Sequence, residues 1–390
     1  MSFAALPSEI HHRIAVLTVD DVKVKRPPIL LGKTLSLVSK ALQIHGQRLV
    51  WYCVKIDIAK SASSLPQVFL DFEHYPHLHE LVKEIEVTDG DGELDAEQYD
   101  EPMEVIIQLI KHCQTLEDIQ ITIFDKARAS QIRQVFIMAS HLKCLRAFAL
   151  LSRPLVVDKE VIERFHNGFS KTRQLAINLE VTPSLRSMVT QGWPKKKDKS
   201  FLEYLALVSP DIHPKQIPYL FLLLAQSFYL FSLAKIDFPT NLFRPQTFRW
   251  IQLEPDYLRD VTFDVHPLAL VQYLPDLVSW LPRLGHLLRL GINQTVTREV
   301  QQDTSLKASV SLARLLAAVP SSMYLLVLKG THFFGPVPYP IKRLKAASWA
   351  QLEGPVVRCY LDENASMNLV TLKKMKDPKG ILRWHRIIET

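Results

Sequence analysis

Two clusters of side chains have the types that bind metal ions. The acidic run Asp89-Gly90-Asp91-Gly92-Glu93 offers hard oxygen ligands of the kind calcium takes, and His74, His77 and His79 offer imidazole nitrogens. Neither has the spacing the chemistry needs. An EF-hand loop requires Gly at its sixth position and Glu at its twelfth, and counting from Asp89 these are Leu94 and Asp100. The run reads instead as a solvated loop, with Asp95 capping the helix that follows. Pro76 disfavours a single helix that would align the histidines, so they read as a surface loop. Cys53, Cys113, Cys144 and Cys359 lie far apart, without the close Cys or His pairs of a zinc site or a disulfide framework, and fit a reducing compartment. The sequence contains no Gly-rich phosphate loop, no Gly-x-Ser-x-Gly elbow and no His-Glu-x-x-His helix, and only 12 glycines. The expectation is a chain that performs no bond chemistry itself and needs neither metal nor cofactor.

Other residues have the types that recognise macromolecules. Between Thr331 and Trp349, Phe333, Phe334, Tyr339 and Trp349 are interleaved with Pro336, Pro338, Pro340 and the basic Lys342, Arg343 and Lys345. Desolvated aromatic and Arg side chains dominate binding hot spots, so Phe333, Phe334, Tyr339, Arg343 and Trp349 are candidate partner contacts; the same aromatics would equally serve to staple the loop down. Lys195, Lys196, Lys197 and Lys199, behind Pro194, resemble a basic nuclear-import peptide, although most short basic runs are solvated loops.

The N-terminal fifty-odd residues are patterned as helices. Leu6, Ile10, Ile14 and Leu17 recur at three- or four-residue steps and make one apolar stripe, while Glu9, His12 and Arg13 point elsewhere; Pro7 suits the first helical turn. Leu35, Val38 and Leu42 share a face of a second helix. The run Gly46 to Tyr52 then leads into apolar Val54, Ile56 and Ile58. A module of about fifty residues lies near the lower limit for independent stability, so it needs a partner surface.

The order Leu6-Pro7-Ser8-Glu9-Ile10, apolar helix, Leu35-Ser36-Leu37-Val38-Ser39-Lys40, basic-leucine stretch and short strand resembles the F-box family, especially its divergent fungal forms, over Phe3 to Ile56. The resemblance implies docking into the Skp-type adaptor of a cullin-RING ubiquitin ligase. The docking residues would be Leu6, Pro7, Ile10, Leu35, Leu37, Val38, Ser39, Lys40 and Leu49, with Ile14 on the same stripe. One departure is the segment Thr18 to Lys33, which is longer than the family's usual link between its first two helices.

Beyond Leu81 a short phrase recurs: an apolar residue, another three or four later, and a third two beyond. The copies are Leu116/Ile119/Ile121, Leu202/Leu205/Leu207, Phe248/Ile251/Leu253, Leu287/Leu290/Ile292 and Met323/Leu326/Leu328, with looser ones at Leu81/Ile85/Val87, Leu142/Leu145, Thr172/Leu175/Ile177, Leu230/Leu233 and Val356/Arg358/Tyr360. Period-two alternation within the phrase marks a strand with one buried face. The middle positions are separated by 34, 26, 30, 30, 28, 18, 39 and 36 residues, clustering at the long end of the leucine-rich-repeat range. Helical stretches lie between, at Met103 to Cys113, Ser130 to Ser140, Asp158 to Phe165, Leu268 to Leu281 and Ser305 to Ala318. Strands alternating with helices imply a parallel sheet. The Asn that such repeats carry three positions after the last apolar strand residue is replaced by Phe124 and Thr295 in two clear copies, so an irregular ladder is expected.

The expected fold is therefore α/β: a small N-terminal helical F-box (1–56), a linker (57–80) and an irregular leucine-rich-repeat-like solenoid with a parallel sheet (81–390). Ile217 to Ala234 is nearly uninterrupted apolar sequence, but Pro218, Gln226, Ser227 and Ser232 argue for a buried helix to about Gln226, a break, and a buried strand over Leu230 to Ile236, without a membrane span. No signal-peptide core is evident at the N-terminus. From Glu84 to Glu104 there are ten acidic side chains and no basic one, which leaves 47 basic against 30 acidic residues elsewhere, a bias of +17. That excess would attract anionic partners. No helix-turn-helix or stacking motif accompanies it, so nucleic acid is the lesser reading. The leading expectation is a ubiquitin-ligase receptor that joins adaptor and cullin to an unidentified target protein in the cytoplasm or nucleus, with a non-degradative scaffold as the alternative.

Overall fold

A computed structural model describes residues 47, 50–61, 74, 76–89, 96–123, 127–190, 199–208, 212–253, 258–294, 315, 318–320, 322–329, 344–345, 356–363, 366–376 and 382–388. The chain divides into two compact units, Met1–Leu155 with Glu163–Thr172, and Val156–Ile162 with Arg173–Thr390.

In the first unit, strand β1 (Cys53–Asp57) is followed by a helical turn, α1 (Ile58–Ser61), then β2 (Glu84–Thr88), α2 (Asp100–His112), β3 (Asp118–Thr122), α3 (Ala129–Ser140) and β4 (Ala147–Val156). The four strands pair in parallel in chain order. Val54, Ile85, Ile119 and Phe148 stand in register at steps of 31, 34 and 29 residues. All four are buried, as are Ile56, Val87, Ile121 and Leu150 two positions on. The strands form because apolar and polar residues alternate, and one face of each is sealed. Helix α2 buries Met103, Ile106, Ile107 and Ile110 along one stripe; Asp100 and Glu101 in its first turn and Lys111 and His112 in its last complement the helix dipole. At the start of α3 the Gln131 side chain accepts a bond from the Arg128 N–H at 3.2 Å, satisfying one exposed end group.

A cluster of four phenylalanines knits α3, β4 and the end of helix α4 (Lys159–Asn167). Phe136 lies 5.0 Å from Phe165 and 5.3 Å from Phe169 between ring centres, and Phe148 lies 5.4 Å from Phe169. Phe169 holds a positive φ of 54°, a conformation that costs a side-chain-bearing residue energy and is offset here by burial of its ring. The preceding Gly168 is required by close approach: a Cβ there would meet the Ser140 carbonyl oxygen at 2.6 Å and that of Arg164 at 2.7 Å.

The second unit holds β5 (Gln174–Glu180), α5 (Leu185–Thr190), β6 (Ser200–Phe201), β7 (Tyr204–Leu207), α6 (Ile217–Ser227), β8 (Phe228–Tyr229), β9 (Lys235–Phe238), α7 (Pro245–Leu253), β10 (Asp260–Val265), α8 (Pro267–Trp280), β11 (Arg289–Gln294) and β12 (Leu325–Lys329). It ends with β13 (Leu344–Lys345), β14 (Val356–Glu363), β15 (Ser366–Lys376) and β16 (Leu382–Ile388). Strands β5, β7, β9, β10, β11, β12 and β14 pair in parallel in that order, and β14, β15 and β16 close the series antiparallel. Leu175, Leu205, Ile236, Val261, Leu290, Leu326 and Cys359 stand in register, at steps of 30, 31, 25, 29, 36 and 33 residues. Behind them Phe221 stacks on Trp250 at 4.0 Å, and Phe243 and Phe248 pack edge-on against Phe263 at 5.2 and 5.6 Å.

One backbone device repeats in both units. The carbonyl just before a strand accepts bonds from two successive amides at the start of the next. Tyr52 O takes Lys83 N and Glu84 N at 2.9 and 3.0 Å, Lys83 O takes Glu117 N and Asp118 N at 2.8 and 3.1 Å, and Glu117 O takes Arg146 N and Ala147 N at 2.7 and 3.0 Å. In the second unit Arg173, Glu203, Ala234, Arg259 and Leu288 play the same part.

Four of the expected phrases move, one of them Val356/Arg358/Tyr360, where Cys359 and not Arg358 pairs in register with Leu326. Phe248, Ile251 and Leu253 belong to helix α7, and the strand of that repeat is β10, with Val261, Phe263 and Val265 buried. Phe248 and Ile251 are spaced for a helix as well as for the phrase, and Pro245 at the helix start decides between them. The phrase placed at Leu142/Leu145 is Leu145/Phe148/Leu150, and that at Leu230/Leu233 is Leu233/Ile236/Phe238. After α6, which ends at Ser227 as expected, the chain forms β8 and a single 3-10 turn before β9, so that strand starts later than Leu230. Strand β1 pairs with β2, so residues 57–80, expected as a linker, connect two paired strands.

Replacing Gly168 by Ala forces a Cβ against two backbone carbonyls that cannot yield cheaply, and should destabilise the protein by about 1–3 kcal/mol in urea unfolding, as overpacking does.

Candidate interaction surface

Most residues expected to recognise partners lie outside the described residues: Leu6, Pro7, Ile10, Ile14, Leu35, Leu37, Val38, Ser39, Lys40 and Leu49; Phe333, Phe334, Tyr339, Arg343 and Trp349; and Lys195, Lys196 and Lys197. Lys199 is described. Its Nζ donates to the Ala225 carbonyl at 2.6 Å and sits 5.8 Å from the Tyr229 ring centre, and burial pulls its pKa down. It is tethered to the end of α6, unlike a lysine in a solvated run.

The metal-like clusters also find places. Asp89 is only 3% exposed, and accepts a bond from the Tyr99 hydroxyl at 2.8 Å. This corrects the reading of a wholly solvated loop: the carboxylate is buried because the phenol reaches it. Burial, then that bond to Asp89, pushes the Tyr99 phenol well above its usual pKa. Asp95 lies outside the described residues, and α2 begins after a 3-10 turn at Ala96–Tyr99. His77 and His79 share a 3-10 turn, and His79 stacks on His112 at 5.3 Å; burial and the neighbouring imidazole lower its pKa. Burial raises Cys53 to about 11 and Cys113 to about 12, so both stay thiols at neutral pH.

The strand residues that alternate with the buried ones make a second, less covered face. In the first unit Lys55 pairs with Glu86 across β1 and β2. Glu117 stands between Arg146 at 3.4 Å and Lys83 at 4.0 Å. Asp118 lies beside Glu84 in register. Burial raises its pKa, a bond from Gln120 opposes that, and Glu84 and Glu86 add to the rise. Its Oδ1 is buried without a hydrogen-bond partner.

In the second unit the same positions form a pairwise mesh across four strands. The Tyr204 hydroxyl donates to Asp237 at 2.7 Å, and Lys235 lies 3.5 Å from Asp237 and 4.7 Å from the Tyr204 ring centre. Arg289 donates to Asp260 at 3.1 Å and Asn293 to Asp264 at 3.0 Å. Burial raises the pKa of Asp260, against the pull of Arg289 and Lys235. Tyr204 is also raised, first by burial and then by Asp237. Each of these groups holds a fixed charge or hydrogen bond outward from a rigid strand, an arrangement suited to recognition.

Sequence reading missed this mesh. One column of it sits immediately before the middle apolar residue of each phrase, at Tyr204, Lys235, Asp260 and Arg289, as Glu84 and Asp118 do in the first unit, while Asp237, Asp264 and Asn293 lie one or three positions after that residue. Aligning the phrases and reading that column would have found it, once the phrases were placed correctly.

Asp118 binds its proton more tightly in the folded chain than an ordinary aspartate does. Its ionisation therefore costs stability as pH rises through that raised pKa, and costs nothing below the unfolded value. Asp118→Asn should raise the melting temperature at pH 7, and the gain should shrink as pH falls toward 4 in a thermal-unfolding series.

Among the described residues no helix is long and apolar enough to cross a membrane. No known protein family and no curated protein matches the sequence.

Proposed function

We propose that the chain is a non-catalytic receptor: its N-terminal helices resemble an F-box that would dock a Skp-type adaptor on a cullin scaffold, and its repeated strands form a leucine-rich-repeat-like solenoid that holds a target protein for ubiquitylation. The observation that supports this reading best is that within each unit parallel strands are added in chain order at steps of 25 to 36 residues, each in register with the one before it. Stacking of that kind lets successive units share a core that no single one possesses.

A second observation favours the repeat reading. With the phrases in register, Leu233-x-x-Ile236-x-Phe238-x-x-Asn241-x-Phe243 follows the leucine-rich consensus through its Asn, and its four apolar residues are buried. The Asn241 amide is buried too, but neither its Nδ2 nor its Oδ1 has a hydrogen-bond partner, which accords with a ladder that is irregular. The receptor would catalyse nothing. It would act by raising the effective concentration of target lysines near a charged conjugating enzyme, in the cytoplasm or nucleus.

Co-purification of the full chain with a Skp-type adaptor tests the reading. Binding is expected, and Leu37→Asp with Val38→Asp should weaken it more than about tenfold by placing charges in an apolar interface. An adaptor that fails to bind the full chain overturns it. Binding without ubiquitin transfer in a reconstituted ligase would instead support a non-degradative scaffold.

A further inference from the structure

Helix α6 spends most of its apolar residues inward. Leu220, Phe221, Leu223 and Leu224 are buried, and Phe221 is stacked on Trp250. Its outer side carries Tyr219 and, one turn on, Leu222, which is 39% exposed. The helix entry is tied to the approach of α5 by a bond from Gln216 Nε2 to the Pro183 carbonyl at 3.2 Å. From α5, the Arg186 guanidinium lies 5.7 Å from the Tyr219 ring centre. At the other end, the bond from Lys199 to Ala225 brings β6 against the helix, with Lys199 over Tyr229 and with Phe201 5.1 Å from Tyr229 and 50% exposed.

The result is a narrow strip: cation and aromatic, then leucine, then cation and aromatic pair. Neither Arg186 nor Lys199 forms an ion pair among the described residues. An aromatic ring positions a cation without neutralising it, so both charges remain available to an anionic group. Tyr219 and Ala225, the residues of α6 that the two cations approach, are separated by about 9 Å along the helix axis at 1.5 Å per residue.

We propose that this strip is a docking site for an acidic peptide segment of another protein, with apolar side chains over Leu222 and Phe201 and flanking carboxylates that meet Arg186 and Lys199. Charge complementarity selects an acidic partner, and the exposed leucine and phenylalanine select one with an apolar centre. The strip is narrow because Ile217, Leu220, Phe221, Leu223, Leu224 and Ser227 of α6 are buried, leaving Leu222 as the large apolar side chain exposed on its outer side, flanked by Pro218, Tyr219, Ala225 and Gln226. That width suits a peptide and gives a bilayer little to hold. The site stands independently of the adaptor-docking proposal, since it uses only Lys199 and side chains of α5, α6, β6 and β8.

The test is fluorescence anisotropy of the full chain with a labelled peptide of sequence Asp-Glu-Leu-Phe-Glu-Leu-Leu-Asp-Glu. Saturable binding is expected, weakening as salt shortens the reach of the charges. The double substitution Arg186→Gln and Leu222→Ser should raise Kd about tenfold or more, while circular dichroism shows an unchanged fold. Phe201→Ser, at an exposed position, provides a second variant and should weaken binding in the same direction. The proposal is overturned by absence of binding, by equal binding of the peptide with Lys at every acidic position, or by binding that both variants leave intact. It is also overturned if the chain ignores the peptide but sediments with phosphatidylserine vesicles and loses that on substitution, which would assign the strip to a membrane surface.

Discussion

The fold depends on a shared carbonyl. Before eight of the strands, β1, β2, β3, β5, β7, β9, β10 and β11, one backbone oxygen takes two successive amides of the next repeat, and this fork sets where the new strand begins relative to the old. A slip of one residue would turn every buried Leu, Ile and Phe outward and every Glu, Asp and Lys inward. The fork thus ties backbone hydrogen bonding to the sorting of side chains. Two donors on one oxygen also satisfy polar groups at the turn entering each strand, a place where buried amides would otherwise be costly.

The charged column on the less covered face depends on that register. Tyr204 meets Asp237, and Asp260 meets Arg289, because successive strands start level. Pairs of this kind contribute little to stability when solvated, but several joined side by side on rigid strands fix the directions in which charges point. The first unit carries a more acidic version, where Glu84, Glu86 and Asp118 crowd and Asp118 resists ionisation. The molecule therefore presents different electrostatic surfaces from one repeated backbone plan.

Much of the α/β plan is legible in the chain. The alternation in Ile85 and Val87, or in Ile119 and Ile121, marks strands because polar neighbours separate them, and the stripe through Met103, Ile106 and Ile110 marks a helix. Where helix and strand spacings coincide, as at Phe248 and Ile251, local pattern is ambiguous and the aromatic packing around Phe263 resolves it. Leu145 and Leu233 mimic the middle residue of a phrase because another leucine precedes each by three residues, although each is the first residue of its phrase. The surface mesh joins residues 29 to 33 apart, a separation that periodicity within one repeat does not encode. Asp89 shows a related limit: an acidic run suggests solvation, and only the tertiary position of Tyr99 makes one of its carboxylates internal.

The steps between in-register residues vary from 25 to 36, yet the strands stay level. The connecting segments absorb every difference in length. Such an architecture separates two kinds of evolutionary change: additions in the connecting segments can accumulate with little effect on alignment, whereas a single deletion inside a strand would turn the remainder of that strand to the opposite face. A lineage could then remodel one side of the molecule freely and keep the other as an unchanging ruler.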